Sequence, residues 1–468
     1  VLRILKQYYP ARNAVFVIGE SIMILVAVLL ASTILLGIDW LSFNVIFSRK
    51  AVFIAVVFQA SLYYNDLYDI SSIHDTGALA SRLLRALGFA TIVVGLFYFI
   101  FPDIIIAPGV FATSALFVMV LAAIWRFAYN TVLKRGWFNQ NIIILGSGDM
   151  AKSIVEEIRK RKDCGYHISL IIQEDNHPVN FGGLRTEVVS LDRCASLSEK
   201  AKELDVKKIV VALSDKRRSF PVRELLTCRT EGIPILEGQS FFEMLAGRLI
   251  VDQLNPSWLI FREGFKKTRN RLFFKRLRDI LYSVSLLIVC LPLNILAAVL
   301  IKIWSPGPLF SIQSRIGENL NSFEVYRFRI FDSPAADDRR SGPTDDEQRQ
   351  VTTVGKILRT LHIDALPQLW NVLKGDMSLI GPRPDEKTVA EQLEKSIPYY
   401  SAKFTVKPGI TGWSQVNYPF GASIEDARQM LNYDLFYIKN VSFLMDMMII
   451  MRTIKVVFLA KPYKDRKS

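Results

Sequence analysis

Apolar residues in this chain come in long unbroken runs near its start and in short, regularly interrupted runs further on. Residues 14–38 carry one charged side chain, Glu20, and residues 51–65, 86–102, 104–125 and 280–301 carry none. A bilayer span needs roughly 20 apolar residues, and the runs at 14–38, 104–125 and 280–301 reach that length. The run at 86–102 is marginal, and the one at 51–65 spans only by borrowing from 41–50. The pattern predicts four transmembrane helices within residues 1–136. Arg3, Lys6 and Arg12 precede the first and Lys134 and Arg135 follow the last, so both ends are expected on the cytoplasmic side. Arg49 and Lys50, expected in an outer loop, count against that orientation. The first run is long and more spans follow it, so a cleaved signal peptide is not expected.

After residue 137 the period changes. A buried strand at 142–145 runs into Gly146-Ser147-Gly148-Asp149-Met150-Ala151 and then a helical pattern. Further strand-like runs at 167–172, 206–213 and 233–236 alternate with helical stretches, which implies a parallel α/β sheet over 137–260. The glycine pattern is the dinucleotide fingerprint in its required strand–turn–helix setting. Gly146 and Gly148 are therefore candidate nucleotide-binding residues, with Glu174 or Asp175 loosely spaced for a ribose. The alternative is a Rossmann-like fold whose glycines serve only the tight turn. The α/β stretch contains no Tyr-x-x-x-Lys pair.

The third part, 261–468, opens on eight Lys or Arg residues between Arg262 and Arg278, directly before the run 280–301. Proline in a helix interior removes a hydrogen bond and kinks the chain, and Pro292 lies inside this run. Two readings stay open from the residues alone. The run is a fifth spanning helix, or it enters the membrane, bends and returns to the same side. The net charge of +14 gains its meaning here. Basic residues clustered beside an apolar run suggest anchoring on anionic lipid, not nucleic acid. Cys164, Cys194, Cys228 and Cys290 form no close pair and the four histidines are scattered. Neither a disulfide framework nor a zinc site is expected.

Within this part, "HIDALPQLWNVLKGDMSLIGPRP" (362–384) sets Asp364 among apolar neighbours. An unpaired carboxylate there is costly; it is either a cap or ion-pair partner, or it carries chemistry. Six pieces in order decide how the segment is read: "FKRLRDI", "SPGPLFSIQSRIG", "YRFRIF", "VGKILRTLHIDALPQLWNVLKGDMSLIGPRP", "VKPGITGWSQVN" and "YDLFYIKN". Together they resemble the bacterial sugar transferases, or polyprenyl-phosphate glycosylphosphotransferases, and the four-helix start with an α/β middle resembles the large members of that family. The resemblance implies a C-terminal α/β catalytic domain with 280–301 as a re-entrant membrane helix. It implies Mg2+, a UDP-sugar and undecaprenyl phosphate as partners alongside the bilayer, and no nucleic acid; a homo-oligomer is compatible with it. It makes Asp364 the nucleophile and metal ligand, through an aspartyl-phosphosugar, and Arg359 a phosphate ligand. Arg383, framed by Pro382 and Pro384, presents a fork that suits phosphate. Arg315, Arg329 and Asp434 also match family positions as substrate-binding candidates. Pro408-Gly409 is a turn that either shapes a loop near the nucleotide or is purely structural.

The chain departs from the family pattern in three places. The family's Asp-Glu-Leu-Pro-Gln reads Asp364-Ala365-Leu366-Pro367-Gln368 here. Its Asp-Ala-Glu is replaced by Pro334-Ala335-Ala336, and its Asp-Pro-Arg-Val-Thr by Gln348-Arg349-Gln350-Val351-Thr352. Asp337 and Asp338 are candidates to replace the lost acids. The expected function is transfer of a sugar-1-phosphate from a UDP-sugar to undecaprenyl phosphate, releasing UMP at the cytoplasmic face of a bacterial inner membrane. Such a step initiates exopolysaccharide or O-antigen synthesis. Two alternatives stand beside it. One is an impaired paralogue serving as membrane scaffold or regulator, motivated by Ala365. The other is a membrane nucleotide-sugar dehydratase, which the missing Tyr-x-x-x-Lys argues against.

Overall fold

The computed structural model describes residues 2–4, 7–9, 11–37, 45–65, 67–68, 76–104, 106, 109–134, 139–161, 164–174, 187–190, 196–213, 220–254, 269–304, 307–331, 351–419, 421 and 423–459. The chain forms two compact units, Val1–Leu245 and Ala246–Ser468.

The first unit begins with a short hairpin, β1 (Leu2–Ile4) and β2 (Gln7–Tyr9). Four long helices follow: α1 (Ala11–Leu36), α2 (Val45–Tyr64), α3 (Thr76–Ile100) and α4 (Val110–Lys134). Among the described residues, three single helices carry segments long and apolar enough to cross a membrane: Val15–Leu35, Ala80–Ile100 and Val110–Tyr129. Arg49 and Lys50, expected in a loop, lie inside α2. The single acid of the first run is matched by the residue that ends the run at 104–125. Arg126 donates to Glu20 at 2.6 Å, with both side chains buried. Its guanidinium also reaches the Leu67 carbonyl and lies 5.2 Å from the Phe16 ring centroid. A lone charge in this apolar setting would be costly, and pairing offsets that cost. Glu20 and Arg126 thus tie α1 to α4.

The α/β part follows. Strands β3 (Gln140–Leu145), β4 (Tyr166–Gln173), β5 (Glu187–Ser190), β6 (Val206–Val211) and β7 (Ile235–Glu237) form a parallel sheet in the order β5-β4-β3-β6-β7. Ile142 to Leu145 are fully buried, as an uncharged central strand covered on both faces should be. Helix α5 (Asp149–Lys160) buries Ala151, Ile154 and Val155; α6 (Leu197–Glu203), α7 (Val222–Thr230) and α8 (Gly238–Ala246) complete the unit. The expected strands are all present. Strand β5, short and half-exposed, has too little apolar pattern to be anticipated.

The second unit starts before the sequence-based boundary at 260. Leu249 and Val251 donate their amides to Asn432, and both side chains are buried with Leu431 and Leu435. Helices α9 (Arg269–Val289) and α10 (Leu291–Trp304) meet at a 61° bend at Cys290. Pro292 is the second residue of α10. Its ring cannot donate to the Ile288 carbonyl, so the helix breaks before it, and a proline in a first turn costs the second helix nothing. The basic stretch is not wholly turned to lipid, as the sequence suggested. Lys275 and Arg278 each lie 3.6 Å from Asp446. Arg262, Lys266 and Lys267 lie outside the described residues.

Strands β8 (Phe310–Ile316) and β9 (Ser322–Phe328) form an antiparallel pair. Next come α11 (Thr353–Thr360), a single 3-10 turn at Ile363–Ala365, α12 (Gln368–Lys374) and β10 (Ser378–Ile380). Helix α13 (Lys387–Ser396), strand β11 (Gly409–Thr411), helices α14 (Trp413–Asn417), α15 (Ile424–Lys439) and α16 (Phe443–Leu459) close the unit. Its core joins Tyr400, Phe404, Trp413, Leu435, Phe436 and Tyr437. Each large apolar side chain buried this way contributes about 1.5–3 kcal/mol.

Candidate active site

Asp364 sits at the centre of the 3-10 turn between α11 and α12, only 9% exposed. The local sequence explains the turn. His362 takes a left-handed conformation (φ 55°) that ends α11. Pro367 fixes the entry to α12, since it needs no amide partner there. Asn371, fully buried on α12, donates to the Glu324 carbonyl and accepts from the Tyr326 amide at 3.1 Å. The turn is thereby pinned to β9.

Burial raises the Asp364 carboxyl above the usual range, while Arg327, His362 and Arg359 pull it back. Arg383, partly buried between its two prolines, is pushed down to about 10 by burial and by the like charges of Arg327, Arg315 and Arg359, with Asp385 opposing. Four arginines from β8, β9, α11 and the segment after β10 thus act on one small region around a buried carboxylate. Arg315 is steadied by Glu386 at 2.9 Å.

Arg359 acts on Asp364, and Arg383 feels Arg315 and the same Arg327 and Arg359. Arg329 is buried, and its guanidinium packs against Gly307. Arg327, passed over in the sequence, is the arginine of "YRFRIF" that acts most strongly on Asp364. Strand alternation was the usable signal. Arg327 shares a face of β9 with Val325, which packs on Val372 of α12.

Asp434 is 1% exposed and lies inside α15, among Lys403, Ser414 and Asp385. Lys403 donates to Asp385, which also accepts from the Tyr400 hydroxyl at 2.8 Å. Burial works against the Lys403 charge, but Asp385 outweighs it and holds the ammonium above its ordinary range. This network stands directly behind Arg383, two residues from Asp385. Burial lifts the Asp434 carboxyl from 3.8 to about 6, against the pull of Lys403. Between pH 4 and 6 the folded protein keeps a proton there that the unfolded chain has released. Stability therefore falls as pH rises through that window, by about 3 kcal/mol in all. Asp434→Asn removes the loss: thermal unfolding should show the variant gaining on the parent from pH 4.5 to 7.5, and parallel curves would refute this origin.

The loop "KPGITGW" is built into the same region. The Gly409 amide donates to the Pro382 carbonyl and the Gly381 amide to Thr411, both at 2.9 Å. A side chain at Gly409 would strike the Gly381 backbone. The Pro408-Gly409 turn therefore supports the arginine-bearing loop, whatever else it does. Asp337 and Asp338, with the whole of 332–350, lie outside the described residues. Among the described residues no three His, Cys, Asp or Glu side chains gather as a metal cage.

In the first unit, Gly146 has φ 127°, and a side chain there would strike the Ala212 backbone. Gly148 is in ordinary extended conformation. Asp149 places an exposed carboxylate in the first turn of α5, where a pyrophosphate would have to sit. The glycine turn is accounted for by strand packing. The Tyr-x-x-x-Lys spacing does occur outside the sheet, at Tyr399–Lys403 and Tyr463–Lys467; in the first, Lys403 is the buried partner of Asp385, and the second lies outside the described residues.

Comparison with known proteins agrees with this division. The bacterial sugar transferase family matches residues 270–460, and a CoA-binding domain family matches residues 63–226. An Aeromonas hydrophila UDP-N-acetylgalactosamine-undecaprenyl-phosphate N-acetylgalactosaminephosphotransferase is 39% identical over 50% of this chain and 55% of its own, so the chain spans about half of that relative. A Klebsiella pneumoniae UDP-glucose:undecaprenyl-phosphate glucose-1-phosphate transferase is 28% identical over 78% of this chain and 76% of its own. The exopolysaccharide production protein PSS of Rhizobium leguminosarum bv. phaseoli is 37% identical over 39% of this chain and 94% of its own. The chain thus covers nearly all of this last relative, and it belongs to the bacterial sugar transferase family.

Proposed function

We propose that this chain is a membrane enzyme that moves a sugar-1-phosphate from a UDP-sugar to undecaprenyl phosphate and releases UMP. The observation that carries the reading is the buried Asp364 carboxylate with Arg327, Arg359, Arg383 and Arg315 acting on its surroundings. The relatives' names supply the substrate class. The arginines bind the diphosphate and offset the charge that spreads over the transferring group. Asp364 attacks the β-phosphorus and forms an acyl phosphate. The bond from that phosphorus to the bridging oxygen breaks, and UMP leaves with the oxygen and the electron pair. A phosphate oxygen of the lipid then attacks the same phosphorus and frees Asp364.

Mg2+ fits this site in one way: Asp364 and the substrate's own phosphate oxygens would hold it, a donor set that Mg2+ accepts without a protein cage. When bound it would supply further charge neutralisation. Asp434 acts from behind, holding Lys403 and Asp385 in place and through them Arg383. Incubating the purified protein with a panel of UDP-sugars, undecaprenyl phosphate and Mg2+ tests the proposal. UMP release dependent on one sugar and on the lipid is expected, and none from any sugar would overturn it.

The topology belongs to the same proposal. Helices α1 to α4 cross the inner membrane four times, with α2 crossing from Lys50 onward, and α9–α10 enter and return on the cytoplasmic side. The bend at Cys290 and the exposed apolar residues on both arms, among them Leu281, Ile288, Ile295 and Ile303, support this. Single cysteines placed at Lys275 and Lys302 should both be labelled from the cytoplasm. Labelling from opposite sides would show a span instead.

A further inference from the structure

The N-terminal half of α9 carries polar side chains that the transfer reaction does not use. Lys275, Arg276 and Asp279 precede the apolar stretch of the helix, and each reaches the segment bearing the reacting groups. Arg276 donates to the carbonyls of Val372 and Leu373 at the C-terminal end of α12. Asp279, buried, accepts from the Ser378 hydroxyl at 2.8 Å and from the Leu379 amide at 3.2 Å. Lys275 donates to the Ile380 carbonyl at 3.0 Å. Helix α12 follows directly on the turn that holds Asp364, and Ile380 is separated from Arg383 only by Gly381 and Pro382. One helix therefore grips the stretch that separates the nucleophile from Arg383 at its middle and again close to Arg383.

Strand β10 has three residues and one strand neighbour, β11. A strand that short needs support from outside its sheet. A buried carboxylate that accepts two hydrogen bonds is a strong support, because removing it takes this acceptor from the Leu379 amide and leaves the Ser378 hydroxyl only the Ile380 carbonyl at 3.0 Å. We propose that Asp279 is a positioning residue, holding β10 so that Arg383 stands at a fixed place relative to Asp364. The proposal rests on the transfer reading of this site. Its consequence is that the seating of α9 in the membrane and the geometry of the reacting groups are set by the same contacts.

The test uses the full-length protein in lipid nanodiscs, with two variants and two readouts. Asp279→Asn keeps the shape but loses an acceptor and the charge. Ser378→Ala removes one donor and leaves the bond to Leu379. In Asp279→Asn, amide hydrogen exchange over 378–383 should rise about tenfold, while exchange in α15 stays as in the parent. Ser378→Ala should give a smaller rise in the same place. Turnover of the Asn variant should fall about 10²-fold, as for a displacement on the order of 1 Å, chiefly in kcat. In an Arg383→Ala background the same change should cost little more, because the residue acts through Arg383. Unchanged exchange over 378–383 in both variants would overturn the proposal, and so would a rise spread over the whole second unit. A local rise in a protein whose parent releases no UMP would overturn the transfer reading and leave the hold on β10 standing.

Discussion

Asp364→Asn is expected to abolish UMP release, with a loss on the order of 10⁴-fold or more, as when other covalent nucleophiles are removed. The amide nitrogen and oxygen cannot form the acyl phosphate, and the neutral group holds a cation poorly. The substitution is nearly the same size, and among the described residues Asp364 accepts no hydrogen bond from another element that the amide would break. Folding should therefore survive. Relief of a buried charge even favours the variant, since burial is what raises the Asp364 carboxyl. Two measurements keep chemistry apart from damage. With a UDP-sugar labelled at the β-phosphate, the parent should retain label on the protein when lipid is withheld, and the variant should retain none. The variant should still bind the UDP-sugar, because Arg315, Arg327, Arg359 and Arg383 are untouched. Retained label in the Asn variant, or product at the parental rate, would remove Asp364 from the role of nucleophile.

Much of the architecture was legible because the period of the apolar pattern changes along the chain. Runs without charge gave the long helices, and short β-rich runs between helical stretches gave the parallel sheet. The segment holding Asp364 was legible because the family's pieces occur in a fixed order over the whole second unit. What the sequence left obscure depends on packing between elements distant in the chain. Arg327 and Arg329 are two residues apart and read alike, yet one acts on Asp364 and the other lies under Gly307, because β9 ends at Phe328. Asp434 looked like a ligand in a motif, but it is buried with Lys403 and Asp385, which arrive from other parts of the unit. The basic cluster before residue 280 read as lipid anchoring. Three of its members face protein because α9 lies against the ends of α12, β10 and α16. The break between α9 and α10 was legible to within two residues, since Pro292 acts on the carbonyl one turn earlier.

Restoring the family's glutamate by Ala365→Glu should raise turnover, by up to roughly 10²–10⁴-fold if that side chain acts as a general base. Ala365 ends the 3-10 turn and is only partly buried, so a longer side chain can leave toward solvent without displacing the core. A second carboxylate beside Asp364 repels it, and like charges drive a carboxyl pKa upward. Against this stand the four arginines acting on the region. Four positive charges outweigh two negative ones, so the added glutamate should ionise at neutral pH and the site should tolerate it. A phosphate monoester with a second pKa near 6 is mostly dianionic at neutral pH and then needs no base. The gain should therefore be smallest at pH 7 and above and should grow below about pH 6. It should lie in the step in which lipid phosphate attacks the phospho-enzyme. The UMP burst on first mixing should keep its size while the steady-state rate rises. A flat or lower rate at every pH would mean that repulsion prevails or that other acids already serve this role. In that case Ala365 is a settled feature of this chain and not a missing part.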